Sequence, residues 1–149
     1  MIIEIREATQ ADLLSVLSLY AQPEIDDGQI LPLEQAQEIF TKIKTYPDYR
    51  IYVASAESKV VGTFSLLIME NLAHLGARSG VIEDVVVSPN FQRKGVGTRM
   101  VKFAIEICRH KGCYKLALSS NMKRKSAHEF YESLGFRRHG YSFLLGLNT

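Results

Sequence analysis

The chain has 149 residues, 46% of them hydrophobic and 23% charged, which fits one folded domain over residues 1–149 and argues against disorder. Its longest apolar stretch, Val60 to Met69, is broken by Gly62, Thr63 and Ser65, so nothing approaches the roughly 18 residues of a membrane span. The net charge of +2 conceals a division along the chain: residues 1–90 carry 6 basic and 13 acidic side chains, residues 91–149 carry 12 and 3.

Ile2 to Arg6 alternates apolar and polar residues as a half-buried strand does, with no basic region leading into a long apolar one. A cytoplasmic location is therefore expected. Thr9 stands where a helix would start, with Asp12 three residues on as a capping-box acid and Leu13, Val16, Leu17 and Tyr20 at helical spacing. Pro23 closes that helix, and Glu24 to Gly28 reads as an acidic loop. Pro32 opens a second helix, to about Thr45, whose inward face is Leu33, Ala36, Ile39, Phe40 and Ile43. Arg50–Ala56 and Lys59–Met69 are rich in β-formers and joined by Glu57-Ser58, a hairpin.

After a loop from Asn71 to Ser79, Val81–Ser88 reads as a valine-rich strand stopped by Pro89. Val96–His110 is an amphipathic helix with Val96, Met100, Val101, Ala104, Ile105 and Cys108 inward and Gly112 just past its end. Cys108 and Cys113 are the only cysteines; without a CxxC or a histidine cluster they exclude a disulfide framework and suggest no metal site. Tyr114–Ser119 is a further strand, Ser126–Ser133 a short helix stopped by Gly135, and Tyr141–Leu147 a last strand. This order predicts an α/β (α+β) fold, a mixed sheet with helices on both faces.

The segment from Val85 to Thr98 carries the chemistry. It is a strand, a short connection and a glycine-containing entry into a helix. The first turn of that helix has unpaired N–H groups and the positive end of the dipole. Gly95 and Gly97 lack a Cβ that would hold an anion off the main chain, and Arg93 and Lys94 add charge beside them. A pyrophosphate cradled by Arg93 to Thr98 is the ligand this chemistry invites. A nucleotide P-loop needs its lysine after the last glycine, whereas Lys94 precedes Gly95; a dinucleotide fingerprint needs a third glycine where Met100 stands. The ten basic residues of 91–125, against Glu106 alone, suit either a local anionic ligand or a solvated helix face. No recognition motif points to nucleic acid, so neither nucleic acid nor membrane is expected as a partner.

Gln92-Arg-Lys-Gly95-Val-Gly97, preceded by Val87-Ser-Pro, resembles the acyl-CoA-binding motif of the GNAT superfamily of N-acetyltransferases. Ala127-His-Glu-Phe-Tyr131-Glu-Ser-Leu-Gly135-Phe136 resembles that family's second signature, and the intervening helix and strand match in order. The resemblance covers residues 2–147. It implies a GNAT-type acyl-CoA N-acyltransferase fold, with a mixed central sheet of about six to seven strands and splayed fourth and fifth strands. It also implies acetyl-CoA as co-substrate. Main-chain groups of Val85, Val86 and Val87 would pair with the pantetheine arm, and Gln92, Arg93, Lys94, Gly95, Val96, Gly97 and Thr98 would hold the pyrophosphate. Members usually carry an asparagine three residues before the second motif's alanine. This chain has Arg124 there, with Asn121 close by but out of register, so Asn121 or Arg124, beside Lys123 and Lys125, would meet the CoA arm or a CoA phosphate. Homodimers are common among members.

Acetyl transfer to an amine requires a neutral amine, its alignment with the thioester, a donor for the oxyanion, and a proton for the departing thiolate. The resemblance assigns the last role to Tyr131, protonated at pH 7; packing beside Phe130 is its structural alternative. Glu83 is the candidate base, since strand alternation puts it on one face with Val85 and Asp84 on the other. An acid within a core strand is costly unless paired or functional, and a salt bridge at the strand edge is the plainer alternative. Main-chain N–H near Val86 or Val87 is the candidate oxyanion donor. Asp84 and the acidic loop residues Glu24, Asp26 and Asp27 could draw a cationic amine, or the loop could lack a partner. The activity expected is transfer of an acetyl group to a primary amine of a small molecule, such as an amino sugar or polyamine. The alternatives are acetylation of a protein lysine or N-terminus, and a CoA-binding module without catalysis.

Overall fold

In the computed structural model, which describes residues 1–148, β1 (Ile3–Glu7), β2 (Tyr49–Ala56), β3 (Lys59–Met69) and β4 (Arg78–Val87) pair antiparallel in succession. β5 (Cys113–Ala117) joins β4 in parallel, giving the order β1-β2-β3-β4-β5. A parallel step needs a crossover, and α3 (Val96–His110) supplies it. α1 (Leu13–Tyr20) and α2 (Leu33–Lys44) fill the link between β1 and β2, and α4 (Lys125–Ser133) follows β5. At the hairpin tip Glu57 and Ser58 both take positive φ, 52° and 62°, the primed turn whose twist matches the strands.

Period-two alternation sorts the sheet residues between two layers. Ile51 and Val53 pack with Leu13, Val16 and Phe40 under α1 and α2. Tyr52, on the opposite face, stacks on Phe64 and meets the edge of Phe103 from α3. Gly62 lets α3 sit directly on β3: a Cβ there would lie 2.9 Å from the Met100 sulfur. The start of α1 follows the capping expectation on its acidic side. Asp12 accepts from the Thr9 N–H at 2.8 Å and receives both Arg6 guanidinium nitrogens at 2.7 and 2.9 Å.

Residues group into two compact units, Met1–Ala117 and the remainder from Leu118 on. The first holds the whole sheet. The second holds α4 and extended chain, and none of its described residues is buried.

Two expectations on the sheet need correction. Among the described residues it has five strands rather than six to seven, because Tyr141–Leu147 forms no ladder. Apolar periodicity supplies a face to bury but not an edge to pair with, and here Tyr141 and Phe143 stay 93% and 94% exposed. β4 also begins at Arg78, since Arg78 to Val81 are the residues that pair with β5. That pairing ends at Val81 and Ala117, so β4 runs on from Ile82 to Val87 with no β5 residue beside it. The fourth and fifth strands part as the resemblance implied. No helix among the described residues is long and apolar enough to cross a membrane.

Candidate active site

β4 does not alternate strictly. Leu66 faces Ile82 and Ser65 faces Glu83, but Thr63 faces Val86, so Phe64 alone opposes both Asp84 and Val85. One extra residue has been inserted in β4: a β-bulge, with Asp84 at φ 52°. The bulge puts Val86, opposite Thr63, on the same face as Glu83 and leaves Asp84 and Val85 together opposite Phe64. Glu83 stands across from Ser65, and Ser65, Thr63 and Asp84 all lie around the hydroxyl of Tyr20 at the end of α1. The Asp84 charge acts on both the Tyr20 hydroxyl and the Glu83 carboxyl, so the two acids are close neighbours.

The bulge also decides which main-chain groups are free. Ser88 N–H bonds the Val61 carbonyl at 2.7 Å, so the next hydrogen-bonded pair inward is Val86 with Thr63. By that spacing Val86 turns its N–H and C=O toward β3. Val87, one residue out of phase, turns its N–H and C=O to the open edge. Its carbonyl accepts the side-chain amides of Gln22 at 3.1 Å and Gln92 at 3.2 Å.

Around the acids the environment is electronegative. Burial, then the neighbouring Asp84 charge, pushes the Glu83 carboxyl above its ordinary value. Burial, then Asp26, does the same to Asp84. Tyr20 is pushed up to about 12, by burial first and the Asp84 charge second. The Asp26 charge acts on Asp84 and the Asp84 charge on Glu83, and none of the three forms an ion pair among the described residues. The salt-bridge alternative for Glu83 is not realised. Glu24 and Asp27 share the loop with Asp26 and are exposed.

On the other side of β4, the chain turns through Pro89–Phe91 and enters α3. Arg99 N–H is the first to find a helical carbonyl, that of Gly95 at 3.1 Å. The N–H groups of Val96, Gly97 and Thr98 precede it, and no side chain caps the helix. Gly95 sits at φ +88°, and a Cβ built on it would meet nothing within 4 Å. The glycine is therefore demanded by its left-handed backbone, and the space above it is open. Arg93, itself at φ 61°, and Lys94 are exposed beside it, the ammonium of Lys94 lying 5.4 Å over the Phe91 ring. Unpartnered donors, a helix dipole and two cations fit a diphosphate group.

In the second unit, Tyr131 sits on α4 between Phe130 and Phe136, with ring centroids at 5.1 and 5.9 Å. Burial raises its phenol above the ordinary value while Arg124 pulls the other way. Asn121 is taken up locally: its side-chain oxygen accepts the Lys123 N–H at 2.9 Å and its carbonyl meets His128 at 2.8 Å. Arg124 directly precedes α4 and is exposed. Cys108 is buried and its thiol pushed up to about 12, by burial and then by Cys113, as suits a core residue. Sequence reasoning missed Tyr20, assigned to the core by its spacing, and Gln22. A glutamine between an alanine and a proline carries no local signal of a contact 65 residues away.

Residues 13–136 match the acetyltransferase (GNAT) family. The chain belongs to that family. It is an acetyltransferase, and acetyl-CoA is the family's co-substrate. It is 33% identical to a glucosamine 6-phosphate N-acetyltransferase of Trypanosoma brucei brucei, over 97% of this chain and 96% of the relative. An aminoalkylphosphonate N-acetyltransferase of Salmonella typhimurium is 28% identical over 97% and 91%. Among solved structures, glucosamine-6-phosphate N-acetyltransferase of Arabidopsis thaliana superposes with a TM-score of 0.86 at 27% identity, covering 99% of this chain and 100% of that one.

Proposed function

We propose that the protein acetylates a primary amine of a small molecule by direct attack of the amine within a ternary complex. The observation that carries this reading is the bulge at Asp84, which sets a second acid beside Glu83 within reach of the Asp26 charge, none of the three in an ion pair among the described residues. An ammonium substrate is drawn to such a cluster, and acetylation needs it deprotonated. Glu83, whose carboxyl is held above its ordinary value by burial and then by Asp84, takes that proton directly or through water. Asp84 and Asp26 bind the amine, with Glu24 and Asp27 adding negative field.

Acetyl-CoA supplies the activated acyl group. Gln92 and the residues from Arg93 to Thr98 hold its diphosphate, with Arg124 or Asn121 serving its outer part. Main-chain N–H at Val87 or Val85 is free to stabilise a developing oxyanion. Tyr131, kept protonated by its raised pKa, donates to the departing thiolate. The family match runs from 13 to 136, across the end of one unit and into the next, which supports reading 1–149 as one N-acetyltransferase domain.

Thiol release measured over amino sugars and their phosphates, aminoalkylphosphonates, polyamines and peptides tests the acceptor class. Turnover of small amines is expected, led by those that carry a phosphate or phosphonate, as the substrates named for the relatives do. Turnover of peptides alone would replace this reading with protein acetylation. Silence throughout, together with a rise in Tm on adding acetyl-CoA, would leave a CoA-binding module without catalysis. For the acid, Tyr131→Phe should lower kcat with little change in acetyl-CoA affinity; unchanged kcat with chemistry limiting would remove Tyr131 from the role. The exposed apolar run from Tyr141 to Leu147 supports a homodimer, and a monomer mass in sedimentation at micromolar concentration would exclude it. We place the enzyme in the cytoplasm, with no nucleic-acid or membrane partner.

A further inference from the structure

We infer that Gln22 is a positioning residue: its side-chain amide pins the acidic loop 21–28 to the carbonyl of Val87 and so fixes where Asp26 meets Asp84. The inference rests on the amine-transfer reading above and names the residue that sets its acceptor side.

The loop is a closed structure. Asp26 N–H bonds the Tyr20 carbonyl at 2.9 Å, Ile25 and Asp27 N–H both bond the Gln22 carbonyl at 3.1 and 3.2 Å, and Gly28 N–H bonds the Ala21 carbonyl at 2.6 Å. Asp27 and Gly28 take positive φ, 48° and 85°, to complete the turn. These bonds hold the loop closed against the end of α1, so a further attachment to β4 both restrains its opening and orients its side chains. At one end it continues from Tyr20, which packs against the core beneath α1. Between its backbone and β4 stands the Gln22 bond, 3.1 Å long and half-buried, where water competes poorly for the donor. Burial, and across that bond the Asp26 charge, raise the Asp84 carboxyl.

The choice of acceptor atom matters. Val87 C=O points to the open edge of β4, and its two lone pairs are taken by Gln22 from the acidic loop and by Gln92 from the glycine-containing segment before α3. One carbonyl therefore ties both segments to the same strand, and removing one amide leaves the other in place. The two glutamines should separate cleanly by kinetics.

Gln22→Met keeps length and packing without the donor, and Gln22→Glu keeps shape while replacing the donor with an acceptor. In the free protein, both should speed amide hydrogen exchange at Asp26 and Gly28 by about tenfold, the scale of one hydrogen bond. With the best amine of the panel, KM for the amine should rise about tenfold while kcat and acetyl-CoA affinity stay within about twofold. Gln92→Met should do the reverse, raising KM for acetyl-CoA. Unchanged exchange at Asp26 and Gly28, or an unchanged amine KM in an active Gln22→Met enzyme, would overturn the inference. A wild-type protein silent toward every amine would overturn the acceptor reading instead, while the exchange experiment still decides whether Gln22 holds the loop.

Discussion

Asp12 stands at the start of α1 and the charge of Asp84 acts on Tyr20 at its end, and the two carboxyls move in opposite directions. Asp12 lies under the Arg6 guanidinium and the Thr9 N–H, first among them the Arg6 hydrogen bond, and falls from 3.8 to about 2. Asp84 has burial and Asp26 instead, and rises. The first environment was built for a charge; the second opposes one. A carboxylate that is welcomed holds the fold together, whereas carboxylates that are crowded are available to take a proton or a cation.

The sharpest way to break this comparison is at Glu83. Glu83→Gln keeps shape and removes the base, so kcat should fall about 100-fold, and the acidic limb of the rate profile should disappear. A mutant retaining wild-type kcat would reduce Glu83 to a bystander. Next in size is Asp12→Ala. Because the folded-state carboxyl lies below its unfolded value, its stabilisation is present above about 4 and is lost as pH falls through about 2. Urea unfolding at pH 7 should show a loss of about 2 kcal/mol, with variant and wild type converging at the acid end. On the cationic side of β4, Gly95→Ala forces an L-residue to φ +88° and should weaken acetyl-CoA binding about tenfold by calorimetry, leaving the amine KM alone. The smallest effect has the opposite sign to Asp12. With a raised carboxyl, Asp84 contributes its penalty only as pH rises through the folded-state value. Asp84→Asn should therefore raise Tm at pH 7 by about 1–2 °C, a gain that vanishes at acid pH where the wild-type side chain is neutral; the residue keeps contact with water, so the gain is small.

Where glycine punctuation and a full helical stripe coincide, residues alone locate the structure: α3 spans Val96–His110 as its apolar spacing requires, and Gly95 takes the conformation that only glycine adopts readily. The hairpin at Glu57-Ser58 was legible from its flanking β-formers even without a glycine at its tip. Period two failed in the strand that carries the candidate base. Ile82-Glu-Asp-Val-Val reads as an even strand, and nothing in those side chains announces that Phe64 faces two residues instead of one. Register belongs to a pair of strands, so it cannot be read from either. For the same reason Gln22 was invisible, and Tyr141–Leu147, with the right alternation, forms no strand among the described residues.

The inserted residue in β4 makes chain length, as much as residue identity, a determinant of activity. Deleting Asp84 would leave Phe64 facing Val85 alone, letting β3 and β4 zip without interruption. Glu83 would lose its acidic neighbour, while Val86 and Val87 would keep their partners Thr63 and Gly62. The shortened protein should melt higher and do nothing: a smoother sheet obtained by erasing the irregularity that gives it work to do.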